Sequence, residues 1–256
     1  MLSYQHGYHA GNLADMHKHA LLAWVLDYMA AKDKPLSYIE THAGRALYRL
    51  DTEEARKTGE AAAGIGRLEQ AFAPTHPYRR AIDMARAAHG IAAYPGSPLI
   101  AAHLLRQSDR MTLAELHPRE FAALQALMGA RARVERRDGL ELALSICPPM
   151  PRRGVMMIDP SYEVKTDYTT LPDTISALHR KWNVGVILLW YPVLQSGVQA
   201  AMVERIATSL RDAHVFEARF APIREGHRMI GSGLVVLNAP WGMEDEAHRV
   251  AELVAG

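Results

Sequence analysis

The chain has 256 residues, 49% of them hydrophobic and 22% charged, the length and balance of one large globular unit or of one unit carrying an insertion. Its 29 lysines and arginines against 28 aspartates and glutamates leave a formal net charge of +1, which argues against a strong, non-specific nucleic-acid coat but not against an enzyme with a local basic surface. Cys147 is the single cysteine, so no internal disulfide can form; with no signal-peptide pattern at the start and no apolar run as long as a membrane span, a cytoplasmic protein with no membrane association is expected.

In chain order, residues 13–29 show helical spacing. Leu13, Met16, Ala20, Leu21, Trp24, Val25 and Tyr28 form an apolar stripe, Asn12 is the candidate cap, and Asp15, Lys18 and His19 converge on another face. After Pro35, 36–40 reads as a buried strand ended by Thr41-His42-Ala43-Gly44. Residues 47–90 are rich in Ala, Arg and Glu and read as a helical insertion. Alternation then resumes, with a strand over 111–115, a helix over 118–128 and a strand over 132–136 closed by Asp138-Gly139. A strand over 154–158 leads into Asp159-Pro160-Ser161-Tyr162. Helices near 171–181 and 198–210 and strands near 185–190, 215–220 and 233–238 complete the chain. Such alternation predicts an α/β fold with a mostly parallel, doubly wound sheet, whose ligands sit beyond the carboxyl ends of the strands. Glu40, His42, Glu115, Asp138 and Asp159 all fall at such ends.

The strongest local signal is Asp159-Pro160-Ser161-Tyr162. It resembles the Asp/Asn-Pro-Pro-Tyr/Phe motif of enzymes that methylate exocyclic amines. An adenine amino nitrogen is a poor nucleophile because its lone pair is delocalised into the ring. A carboxylate and a backbone carbonyl that accept its two hydrogens favour a pyramidal nitrogen able to attack a methyl sulfonium. Proline fixes the backbone that aims the carbonyl, and the tyrosine ring is expected to stack on the extruded base. The same four residues also suit an ordinary strand-to-turn connection. Glu115 is placed to bind ribose hydroxyls, and Asp138 to accept from an adenine amino group of a cofactor. The histidines at 6, 9, 17 and 19 suggest a metal site, but no matching cysteine or carboxylate pattern surrounds them. None is expected, and the amino-terminal segment is read as a loop closing over the site.

Taken together, these stretches resemble the bacterial 23S ribosomal RNA (adenine-2030-N6)-methyltransferases, the RlmJ family. The similarity runs through Met1-Leu2-Ser3-Tyr4, His9-Ala10-Gly11-Asn12, Lys18-His19, Thr41-His42-Ala43-Gly44, Tyr94-Pro95-Gly96-Ser97, Glu115-Leu116-His117-Pro118, Ile158-Asp159-Pro160, Lys165-Thr166-Asp167-Tyr168 and Trp190-Tyr191-Pro192-Val193. It implies a Rossmann-like, S-adenosylmethionine-dependent methyltransferase core over 1–46 and 91–256, with 1–12 covering the site and 47–90 inserted. It implies cofactor contacts from His19, His42, Ser97, Glu115, Asp138 and Gly139, and catalysis at Asp159 with Pro160 and Tyr162. Tyr4, His6 and Lys18 are expected to face the RNA, and the partner is 23S ribosomal RNA, taken as free RNA before full ribosome assembly, with no obligate protein partner. A DNA adenine methyltransferase, or a non-catalytic binder for the use of external DNA, are the alternatives. Ser161 departs from the family's second proline, and the family usually continues beyond the position of Gly256. Within or beside the insertion, Arg45, Arg49, Arg56, Lys57, Arg67, Arg79, Arg80 and Arg86 are expected to touch phosphates, unless they form a solvated face laced with salt bridges.

Overall fold

A computed structural model describes residues 6–222, 226 and 228–256. Tyr4 lies outside them. After a short 3-10 turn (His6–Tyr8), helix α1 (Leu13–Ala30) begins at Asn12, whose side chain accepts the Asp15 N–H. Strand β1 (Ser37–Glu40) follows. The 47–90 stretch holds β2 (Leu47–Arg49), the short helices α2 (Glu53–Thr58), α3 (Glu60–Ala63) and α4 (Ile65–Leu68), and α5 (Pro77–His89). Beyond it come β3 (Ala93–Pro95), α6 (Ser97–Leu104), β4 (Arg110–Ala114), α7 (Pro118–Met128), β5 (Arg133–Glu135), α8 (Gly139–Ile146) and β6 (Gly154–Ile158). The chain closes with α9 (Asp167–Lys181), β7 (Val186–Leu194), α10 (Ala200–Ser209), β8 (Ala213–Arg219), β9 (Met229–Leu237) and α11 (Met243–Ala255).

Seven strands form one sheet in the order β5-β4-β1-β6-β7-β9-β8. The pairs from β5 to β7 are parallel, and β9 runs antiparallel to both β7 and β8. Side chains alternate between the two faces, as the pleat requires. Val155, Met157, Val186 and Leu188 enter one apolar layer with α1, α5, α6 and α11, while Met156, Ile158, Ile187 and Leu189 enter the other with α8, α9 and α10. Both faces are therefore covered, which is why the central strands read as continuous apolar runs.

Two features differ from expectation. Helix α1 is buried nearly all round rather than along one stripe, because α5, α6, α11 and β9 all pack on it. The 47–90 helices open from an antiparallel ribbon in which Leu47 faces Pro95 and Arg49 faces Ala93. Their Ile65, Phe72, Tyr78 and Ile82 join the same apolar layer as Met16, Leu21 and Leu22.

Candidate active site

The carboxyl ends of β1, β4, β5 and β6 open onto one cavity of about 450 Å³. It lies where the strand order reverses, since the chain runs from β1 outward to β4 and β5 on one side and to β6 and β7 on the other. In open α/β sheets this crevice binds ligands.

Helix α1 supplies the cavity floor. Lys18 Nζ stands 2.6 Å from Asp159 Oδ2 and 3.0 Å from Asp15 Oδ1, and 5.2 Å from the centre of the Trp190 ring. Asp15 Oδ2 also accepts from the Gly11 N–H at 2.9 Å and lies 2.9 Å from His6 Nε2. Burial alone would raise the Asp15 carboxyl and lower the Lys18 ammonium. Their neighbours win: His6, Lys18 and His19 hold Asp15 well below the usual carboxylate range, and Asp159 and Asp15 hold Lys18 above the usual lysine range. Lys18 is thus not on an RNA-facing rim, as expected from sequence, but buried. A partner carboxylate at each side offsets the cost of taking its charge out of water.

The amino-terminal histidines each turn to a hydrogen-bond partner of their own, although His19 Nε2 also lies 4.0 Å from the Asp15 that holds His6. His6 goes to Asp15, His9 Nδ1 lies 2.9 Å from Glu60 Oε2, His17 Nδ1 3.0 Å from Ser232 Oγ, and His19 Nδ1 3.0 Å from the Tyr94 hydroxyl. Burial lowers His17 and His19 to about 3, so both are neutral near pH 7. His6 and His19 line the cavity.

The end of β1 forms the next wall. Glu40 is fully buried beneath it, with the Tyr38 hydroxyl donating to Oε2 at 2.8 Å and the Ser97 hydroxyl to Oε1. Burial pushes its carboxyl up to about 8, against the pull of those two donors. Ser97, at the start of α6, faces the cavity. So does His42, whose Nδ1 is 2.8 Å from Thr41 Oγ1 and which burial keeps low against the attraction of Asp159 and Asp138.

At the end of β4, Glu115 ties two loops together, accepting the Gly44 N–H at 2.8 Å and the His117 N–H at 2.7 Å. Burial raises its carboxyl in spite of both bonds. After β5, Asp138 Oδ1 caps α8 through the Glu141 N–H at 2.9 Å while the residue faces the cavity. Gly139 is pressed against the β1 turn, where an added Cβ would meet the Thr41 carbonyl oxygen at 1.8 Å.

After β6, Asp159, Pro160 and Ser161 line the cavity but Tyr162 does not. Its ring packs on Tyr168 with centroids 4.7 Å apart, and its hydroxyl donates to the Trp190 carbonyl at 2.7 Å. The expected stacking on an extruded base is corrected: Tyr162, at φ +56°, fixes the turn from beneath. Trp190, Pro192 and Met229, none of them expected from sequence, complete the wall from β7 and β9. The antiparallel run of β9 brings its beginning to the same sheet edge as the ends of the parallel strands.

The arginines within and beside 47–90 depart from expectation as well. Arg45 forms a two-point pair with Glu120, and Arg49, Arg79, Arg80 and Arg86 pair with Asp51, Asp83, Asp27 and Glu69. These guanidinium groups already have carboxylate partners, which favours the salt-bridged face over the phosphate-binding one.

The family model described as "Ribosomal RNA large subunit methyltransferase D, RlmJ" matches residues 33–256. The ribosomal RNA large subunit methyltransferase J of Escherichia coli (strain K12) is 38% identical over 98% of this chain and 91% of its own length. The chain belongs to the RlmJ family. The Haemophilus influenzae ribosomal RNA large subunit methyltransferase J is 36% identical over 98% of this chain and 92% of its own. A crystal structure of a Legionella pneumophila protein superposes with a TM-score of 0.86 at 32% identity, covering 95% of this chain and 92% of that one. The backbone fold is thus shared with that protein over nearly the whole chain.

Proposed function

We propose that the chain transfers a methyl group from S-adenosylmethionine to the N6 amino group of an adenine in 23S ribosomal RNA, acting in the cytoplasm on free RNA. The observation that carries this reading is Asp159, held at the mouth of the crevice by Lys18 at 2.6 Å through Oδ2 alone, with the Pro160 backbone beside it. Oδ1 is left to accept one amino hydrogen of the target base, and the Pro160 carbonyl the other. Lys18 orients the carboxylate and is itself braced by Asp15.

The residues present fit the cofactor. Glu115 stands at the end of β4, where ribose hydroxyls are bound in such folds; Ser97, His42 and Asp138 add neutral and acidic partners. The contact of Gly139 with the Thr41 carbonyl keeps that floor free of side chain. The cavity volume of about 450 Å³ falls in the range of small-molecule sites. The cofactor, when bound, supplies an electrophilic methyl group on a sulfonium. Everything else asked of the protein is positioning and exclusion of water. We read 47–90 as an insertion that walls one side of the site through Tyr48.

The test is transfer of a tritiated methyl group to protein-free 23S RNA, to DNA, or to neither. Asp159→Ala should lower the transfer rate by about one to two decades, since a hydrogen bond to a charged group contributes roughly 1.5–3 kcal/mol. Its affinity for S-adenosylhomocysteine should change little. Label in DNA but not RNA, or a variant as active as the parent, would overturn the proposal.

A further inference from the structure

Charge around the cavity is arranged in two rings. Asp138, Glu163 and Asp167 line the cavity itself. Just outside lie Arg119, Arg136, Lys165 and Arg228, all exposed. Each is within two residues of a lining residue: Arg119 of His117, Arg136 of Asp138, Lys165 of Val164, and Arg228 of Met229. They follow β4, β5 and β6 and precede β9, so the sheet topology delivers all four loops to one edge. Among the described residues none of the four takes part in an ion pair, although Arg133 and Arg137 close by are engaged with Glu135. Exposed Leu116 and Val164 are among the lining residues. The insertion presents the opposite case. Four of its arginines are paired, and Arg56, Lys57 and Arg67, which form no ion pair among the described residues, lie at least eight residues in sequence from any lining residue.

A guanidinium or ammonium without a carboxylate partner can neutralise a phosphate without first breaking an ion pair, and each phosphate so neutralised releases counterions. We propose that Arg119, Arg136, Lys165 and Arg228 are the phosphate contacts that hold the RNA strand around the cavity mouth, and that the insertion does not serve this purpose. The inference rests on the ribosomal RNA reading above. Acidic lining residues within a basic outer ring would keep backbone phosphates out of the crevice while leaving it open to an uncharged base.

The experiment compares two variants of equal charge change. One carries Arg119→Ala, Arg136→Ala, Lys165→Ala and Arg228→Ala; the other carries Arg56→Ala, Lys57→Ala, Arg79→Ala and Arg80→Ala. Binding of protein-free 23S RNA is measured across a salt series, with S-adenosylhomocysteine calorimetry on each protein as the check on folding. For single-stranded contacts the slope of log K against log salt should flatten by about 0.7 per cation removed, hence by up to about 3 in the mouth variant. The insertion variant should keep the parent slope. Should the mouth quadruple fail to bind S-adenosylhomocysteine, the four single substitutions are read instead, each expected to flatten the slope by about 0.7. A mouth variant with the parent slope, equal flattening in both variants, or flattening in the insertion variant alone overturns the inference. A parent protein that neither binds nor methylates RNA refutes the functional reading, and this inference with it.

Discussion

Replacing Lys18 by methionine keeps most of the side chain's length and removes its charge, leaving Asp15 and Asp159 with no cation between them. Breaking a buried ion pair by removing one partner costs about 3–5 kcal/mol, so Lys18→Met should lower the denaturation midpoint markedly. Raising the pH should lower it further. Glu40 makes a second prediction, with a defined pH window. Its carboxyl sits at about 8 in the fold against 4.5 in an unfolded chain. Below 4.5 both states hold the proton. Between 4.5 and 8 only the folded state does, so stability falls as pH rises, by up to about 1.4 kcal/mol per pH unit. His17 and His19 act in the other direction: at about 3 in the fold against 6.5 unfolded, they make stability fall as pH drops below 6.5. From pH 6.5 to 8, then, Glu40 acts without them. Chemical denaturation over that window should show a decline in the parent that is much reduced in Glu40→Gln, which can still accept from one hydroxyl and donate to the other. Equal slopes in the two proteins would remove Glu40 from the account.

At the level of elements, the junction between α8 and the β1 turn is the most constrained. Gly139→Ala would place a Cβ 1.8 Å from the Thr41 carbonyl, and backbone cannot swing aside as a side chain can. The start of α8 must withdraw, at a cost of about 1–3 kcal/mol. Weaker S-adenosylhomocysteine binding should accompany the lower melting temperature, since Thr41, Asp138 and Gly139 share the cavity wall; unchanged affinity would count against that wall as the cofactor's seat. The sequence made β1, β4 and β6 plain because each holds an apolar run closed by a polar residue, Glu40 at the end of β1 and Glu115 and Asp159 one position past β4 and β6. It was less informative elsewhere. Three-residue β2 and β3 have no periodicity to detect, and α8 is only eight residues long. Helix α11 carries a signal the expectations do not include, with Met243, Ala247, Val250 and Val254 at helical spacing behind Glu244, Asp245 and Glu246. For Lys18 the limit is one of principle. Helical spacing shows that Asp15, Lys18 and His19 share a face, but not whether that face meets water or a cavity wall. Nor could spacing show that the hydroxyl of Tyr162 turns down to the Trp190 carbonyl.

Across the whole molecule, α1 is the piece on which most else leans. It packs on α5, α6, α11 and β9, and its Leu21, Leu22, Val25 and Leu26 are wholly buried. Its amides should therefore belong to the slowest hydrogen-exchange class, opening only with global unfolding. Faster exchange in α1 than in the central strands would show that it can lift off alone. The bond between His17 and Ser232 spans 215 positions of chain, and this separation has a consequence in the order of synthesis. At about 5–20 residues per second, roughly 10–40 s pass between the emergence of α1 and that of the strand and helix that cover it. For that interval the helix can pack on α5 and α6 but not on β9 and α11, and for about the first two-thirds of it Lys18 has Asp15 within reach but not Asp159. The nascent chain should depend on whatever shelters hydrophobic segments at the ribosomal exit. Helix α1 is thus made well before β9 and α11, the elements that complete its cover.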